Sequence, residues 1–149
     1  IMRIDVKFEW EISMGKIFVI FILLFSSFNL FAEGNLASQP TKLELEIKGD
    51  LSMSAYSFEL ETGKFYKWVI ESDGIEEMML QAPDIFRNVW VSQIVIDERE
   101  IHGVNSLYGI EFDDEGDVAI FLVPIRPGKF EYYVKGYKDR GMVGTFNVK

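Results

Sequence analysis

The sequence predicts an all-β sandwich of about seven to nine short strands. Three observations carry this expectation. From residue 42 onward, apolar and charged residues alternate with period two. Turn signals recur roughly every eight to twelve residues, and no long helical period follows the first forty positions. The chain has 149 residues, 48% hydrophobic and 15% aromatic, enough for one well-filled core and against disorder.

Residues 1–13 carry three acids, Asp5, Glu9 and Glu11, and are read as an upstream, artefactual extension. Residues 14–32 have the layout of a secretory signal peptide. Met14 and Lys16 precede the apolar run Ile17 to Phe25, and Ala32 supplies a small residue at its end. The alternative is an uncleaved membrane anchor, although the run is shorter than the ~20 residues that span a bilayer. Residues 33–41 form a small, polar linker, and residues 42–149 the folded domain. An export leader without a single cysteine fits a bacterial periplasm, where domains are stable without disulfides.

Within the domain, Leu43, Leu45 and Ile47 alternate with Lys42, Glu44, Glu46 and Lys48, which is a half-buried strand. Phe58 and Leu60 alternate with acids before the turn Thr62-Gly63. The aromatic and β-branched run Lys64 to Ile70 is another strand, closed by Ser72-Asp73-Gly74. Glu76 to Leu80 reads as a short strand, and Ala82 to Asn88 as a helical turn with Pro83 at its first position. Val89 to Ile96 is strongly β-prone, Gly103 to Tyr108 loop-like, and Asp113 to Asp117 an acidic turn. Val118 to Val123 is almost continuously apolar, as a central strand would be. Lys129 to Val134 and Val143 to Val148 close the chain as two more strands.

Composition limits the chemistry. A net charge of −9 argues against nucleic acid, which needs a basic face. No cysteine and one histidine exclude thiolate metal sites, cysteine nucleophiles and two-histidine centres within one chain. No G-x-S-x-G elbow frames a serine for His102. Glu76-Glu77 and Asp97-Glu98-Arg99-Glu100 hold neighbouring carboxylates, but neighbours on a strand face opposite ways. An enzyme is not expected, and no small-molecule substrate is identified.

The run Arg126-Pro127-Gly128-Lys129-Phe130-Glu131-Tyr132-Tyr133-Val134, then Tyr137, then Gly141-Met142-Val143-Gly144-Thr145-Phe146-Asn147-Val148, resembles the end of the cupredoxin family, in particular the periplasmic iron- and copper-handling type. That ending has a Pro-Gly turn, alternating aromatics, a cysteine, a histidine three residues on, and Gly-Met before a final strand. The resemblance spans 43–149, is specific from Arg126 onward, and leaves an unaligned insertion over residues 82–110. It implies a cupredoxin-like Greek-key sandwich. It also implies that Val134 stands at the cysteine position, Tyr137 at a histidine position and Met142 at the methionine position. The other histidine would fall near Glu76 to Met78, where there is none. A blue-copper centre needs a thiolate, two imidazoles and a weak axial thioether, so three of its four ligands are missing.

The expectation is therefore an exported, non-catalytic binding or accessory domain in a periplasmic redox or metal-handling system, with a degenerate copper site and no cofactor. Its partner would be a protein, membrane-associated in such a system. The alternative is a Cu(I) carrier using Met142 with His102 or with Met78 or Met79, since thioethers and imidazole suit the soft ion. Arg87, Trp90 and Tyr108, in or beside the insertion, are residue types enriched at protein interfaces and are the interface candidates. The acids of 113–117 could offer oxygen ligands to Ca²⁺, but a solvated turn accounts for them better.

Overall fold

The structure, a computed structural model, describes residues 38–104 and 106–149. The expected extension (1–13), leader (14–32) and most of the linker lie outside the described residues. The described part contains eleven strands. They are β1 (Thr41–Lys48), β2 (Ser52–Met53), β3 (Ser57–Leu60), β4 (Tyr66–Ser72), β5 (Met78–Gln81), β6 (Val89–Ile96), β7 (Arg99–His102), β8 (Gly109–Phe112), β9 (Gly116–Pro124), β10 (Gly128–Val134) and β11 (Val143–Val148). One short helix, α1 (Pro83–Phe86), lies between β5 and β6, and a 3-10 turn (Lys138–Arg140) between β10 and β11.

Two sheets form the predicted sandwich. The first has order β2-β1-β4-β9-β6-β7 and the second β3-β11-β10-β5-β8. β1 lies parallel to β4 and β3 parallel to β11, while the other pairs are antiparallel. The chain changes sheet at β3, β4, β5, β6, β8, β9 and β10, so sequence neighbours face each other across the core. The registers place the start of β1 (Thr41 opposite Tyr66, which is opposite Leu122) and the end of β11 (Val148 opposite Gly128) at the same end of the sandwich, where the β9–β10 turn also lies.

Sequence pattern explains each placement. β1 buries Leu43, Leu45 and Ile47 and exposes the charged residues between them. β9 sits between β4 and β6, with Val118, Ile120 and Leu122 in the core and Ala119 and Val123 buried on its other side. Both faces of its second half are buried, which is why its sequence is nearly continuous apolar. The core centres on aromatics. Trp68 meets Phe146 edge-on at 4.9 Å between ring centroids, and Tyr132 lies 5.0 Å from Phe146. Burial drives the Tyr132 hydroxyl far above its ordinary pKa, and it donates to the Ala55 carbonyl at 2.9 Å. Trp68 Nε1 is buried with no hydrogen-bond partner among the described residues. The indole packs among aromatic rings, with the Tyr132 and Phe146 centroids 5.8 and 4.9 Å away.

Residues 82–110, the unaligned insertion, hold α1, then the β6–β7 hairpin, which widens the first sheet beyond β9, and the start of β8 in the second sheet. Pro83 stands at the start of α1 as expected. The sequence expectation did not include β7. All four of its residues are exposed, so no apolar alternation marks it. Its turn is also unannounced: Asp97 (φ 46°) and Glu98 (φ 61°) both adopt left-handed backbone without a glycine. β2, two residues long, and β8 are the other additions to the expected strands.

Candidate functional site

The loop joining β10 to β11 is the part of the chain that carries the family resemblance, and its backbone closes on itself. Val134 N–H donates to the Met142 carbonyl at 3.0 Å, and Met142 N–H donates to the Tyr137 carbonyl at 3.2 Å. Tyr137 N–H in turn donates to the Val134 carbonyl at 3.0 Å. Lys135 N–H reaches the Met79 carbonyl at 2.9 Å and ties the loop to β5. Within this ring Val134 and Met142 are fully buried, and Tyr137 is half-buried against the same core. Lys138, Asp139 and Arg140, on the 3-10 turn, remain in solvent, with Lys138 paired to Glu131.

The other candidate metal ligands are distributed by strand geometry. Met78 is buried in the core cluster that also contains Met142, whereas Met79, on the opposite face of β5, has its sulfur 3.3 Å from Gln81 Nε2. This alternation admits only one of the pair to any interior site. His102 lies on the edge strand β7, opposite Gln93, with its side chain 61% exposed and Nε2 3.1 Å from Glu100 Oε2. It therefore sits on the outer side of the first sheet, and the structure does not bring it together with the buried Met142. Among the described residues, no group of three or more His, Cys, Asp or Glu side chains is arranged to hold a metal ion.

The donor set does not fit the copper group that the resemblance implies. A type 1 centre needs a thiolate, and the chain has no cysteine. At the corresponding loop positions, Val134 supplies only hydrocarbon and Met142 a thioether closed off from water. Apolar groups at these places fill space without leaving a buried polar atom unsatisfied.

The adjacent loops are acidic and tightly joined. The Asp73 carboxylate accepts Gly49 N–H at 3.0 and 3.1 Å and Ile75 N–H at 3.2 Å, which fixes the turn after β4. Gly74 (φ 65°) lies against the acidic turn before β9, and a Cβ there would be 2.2 Å from the Glu115 nitrogen. A shallow cleft of about 190 Å³ opens beside it, lined by Glu46, Lys48, Glu71, Ser72, Asp73 and Glu115. Asp113, Asp114, Glu115 and Asp117 are all exposed. The turn signal Ser72-Asp73-Gly74 was readable, but its contact with residue 115, some forty positions away, has no local signature.

The interface candidates are all exposed but do not share one face. Trp90, 47% exposed, stands opposite Val123 on the outer side of the first sheet. Tyr108 stands beside Tyr133 on the second sheet, where burial and the Tyr108 hydroxyl raise the Tyr133 pKa. Arg87 follows α1 and pairs with Asp84 at 3.2 Å. Phe86 and Val89, from the same segment, are buried. No helix among the described residues is long and apolar enough to cross a membrane.

No protein-family model matches the chain, and no curated protein matches it. Solved structures do. A multicopper oxidase from Campylobacter jejuni, titled a metallo-oxidase, superposes with a TM-score of 0.52 at 12% identity, over 75% of this chain and 31% of that one. McoA, a multicopper oxidase from the hyperthermophile Aquifex aeolicus, gives 0.56 at 8% identity, over 77% and 30%. A copper-containing nitrite reductase from Thermus scotoductus gives 0.54 at 10% identity, over 76% and 32%. The chain thus spans about a third of the length of each of these proteins. At such identities the likeness is one of fold alone.

Proposed function

The chain has a cupredoxin fold, and from that premise we propose that it is an exported, non-catalytic binding or accessory domain of a periplasmic redox or metal-handling system, without a blue-copper centre. The observation that carries the reading is the β10–β11 loop, where Val134 and Met142 are fully buried and Tyr137 packs against the same core. An open metal site would leave its donors reachable by an incoming ion, whereas this loop is closed by its own backbone bonds. The leader read in residues 14–32 supports export, and Tyr108, exposed on the second sheet, offers surface for a membrane-associated protein partner. Oxidase and reductase chemistry belongs to those proteins, whose sequences this chain barely shares.

Anaerobic titration of the full chain with Cu(I) against a competing chelator tests the reading. The expected result is no competition at micromolar copper and no difference between wild type and Met142→Ala. Competition that is lost in Met142→Ala replaces the accessory domain with a soft-metal carrier. Competition lost in His102→Ala instead points to β7 and rejects the closed loop as the relevant feature.

A further inference from the structure

The registers divide the charged side chains between two ends of the sandwich. At the end where β1 begins and β11 finishes lie Lys42, Lys64, Lys67, Arg126, Lys129 and Lys149. Backbone bonds hold this end together: Thr62 N–H donates to the Lys149 carbonyl at 2.7 Å, and Gly63 N–H to the Pro124 carbonyl at 2.8 Å. Arg87 joins them, because Ile125 N–H donates to the neighbouring Asn88 carbonyl at 2.9 Å. The nearby acids Glu44, Glu61, Asp84 and Glu59 are each engaged, with Lys42, Lys64, Arg87 and Lys149 respectively. Lys67 and Arg126 are left in excess, and Lys129 shares Glu59 with Lys149. At the opposite end, Asp73, Glu76, Glu77, Asp113, Asp114 and Glu115 occupy adjoining loops and, with Asp50, Asp97, Glu98 and Asp117, outnumber the cations Lys48, Arg99, Lys135, Lys138 and Arg140 of that end.

The basic end is also the apolar one. Ile125 is 61% exposed in the β9–β10 turn, and Trp90 projects from the start of β6 with its indole half in solvent. Lys67 lies over the Phe121 ring at 5.5 Å, so its charge is presented from an aromatic platform.

We propose that this end is a docking surface for an anionic lipid bilayer. Lysine and arginine side chains around an exposed tryptophan and isoleucine match an interface of phosphate headgroups over hydrocarbon. The acidic loops are repelled by the same surface, so charge fixes the orientation as well as the contact. The exposed Trp90 and Ile125 among these cations favour a bilayer over an acidic protein as occupant, since headgroups overlie hydrocarbon that can receive them. The inference rests on charge and register and does not depend on the accessory-domain reading.

The absence of cysteine makes the test direct. Ile125→Cys and Asp114→Cys each give the full chain one site for an environment-sensitive fluorophore, at opposite ends. The labelled proteins are reconstituted with phosphatidylcholine vesicles, with and without phosphatidylglycerol, containing headgroup-nitroxide lipids. The expected result is a blue shift and nitroxide quenching at position 125, strengthened by phosphatidylglycerol, with position 114 unchanged. Adding Arg126→Glu and Lys129→Glu should weaken binding to phosphatidylglycerol vesicles by about thirtyfold or more, in line with the strength of two basic contacts to anionic membranes. Equal quenching at both positions overturns the orientation. Quenching at 125 that ignores both phosphatidylglycerol and charge reversal overturns the electrostatic surface. A label at 125 that responds to soluble polyglutamate but not to vesicles assigns this end to an acidic protein and rejects the bilayer.

Discussion

The β10–β11 pair and the β6–β7 hairpin are both antiparallel, yet they are built from opposite materials. β10 and β11 send Tyr132, Val134, Phe146 and Val148 into the core. Gly144 lies opposite Tyr132, where a Cβ would be 2.2 Å from the tyrosine Cζ, so the aromatic ring occupies the space that a side chain would need. β7 buries nothing, and its turn holds two acids in left-handed backbone. The contrast teaches that ladder hydrogen bonds are common to both hairpins, whereas side-chain packing is concentrated in one. The hairpin stays in place because β6 buries Val89, Val91 and Ile94 beside β9.

Substitutions should separate the two regions when stability is read from urea unfolding. The largest loss is expected for Phe146→Ala, about 3–5 kcal/mol, since it removes a fully buried ring from the aromatic cluster. Gly144→Ala should cost about 1–3 kcal/mol through overpacking against Tyr132. A double mutant with Tyr132→Ala would sharpen this result, because the penalty at residue 144 should shrink once the ring is gone. In the hairpin the sign reverses: Glu98→Gly should gain about 1 kcal/mol by relieving a side chain at positive φ. His102→Ala should change stability by less than about 0.5 kcal/mol, since its contact with Glu100 is exposed. A loss of several kcal/mol at residue 102, or none at residue 146, would break the comparison.

The same contrast explains what could be read before the structure. Buried strands announce themselves in their pattern, by alternation where one face is buried, as with Leu43, Leu45 and Ile47 in β1, and by a continuous apolar run where both are, as with Val118 to Val123 in β9. The helical turn at Pro83 and the final two strands were legible for the same reason: each needs particular residues to form. β7 was illegible, because a strand exposed along its whole length selects no pattern, and Asp97-Glu98 is not a turn that composition announces. For the candidate site, the loop residues Val134, Tyr137 and Met142 could be named from the motif, and their burial follows from apolar character. The placement of His102 on an outer edge strand and the contact of Gly74 with Glu115 depend on tertiary packing, which a local pattern does not encode.

The placement of the start of β1 and the end of β11 at one end of the sandwich has a topological consequence. A unit whose entry and exit are neighbours can be spliced into a longer polypeptide as a cassette, with its host interrupted at one point and little displaced. It also tolerates permutation in principle: joining residue 149 to residue 41 through a short linker, and opening the chain at the exposed 97–98 turn, leaves every strand intact and both sheets complete. Such modularity is a property of the connectivity itself, separate from anything the surface binds.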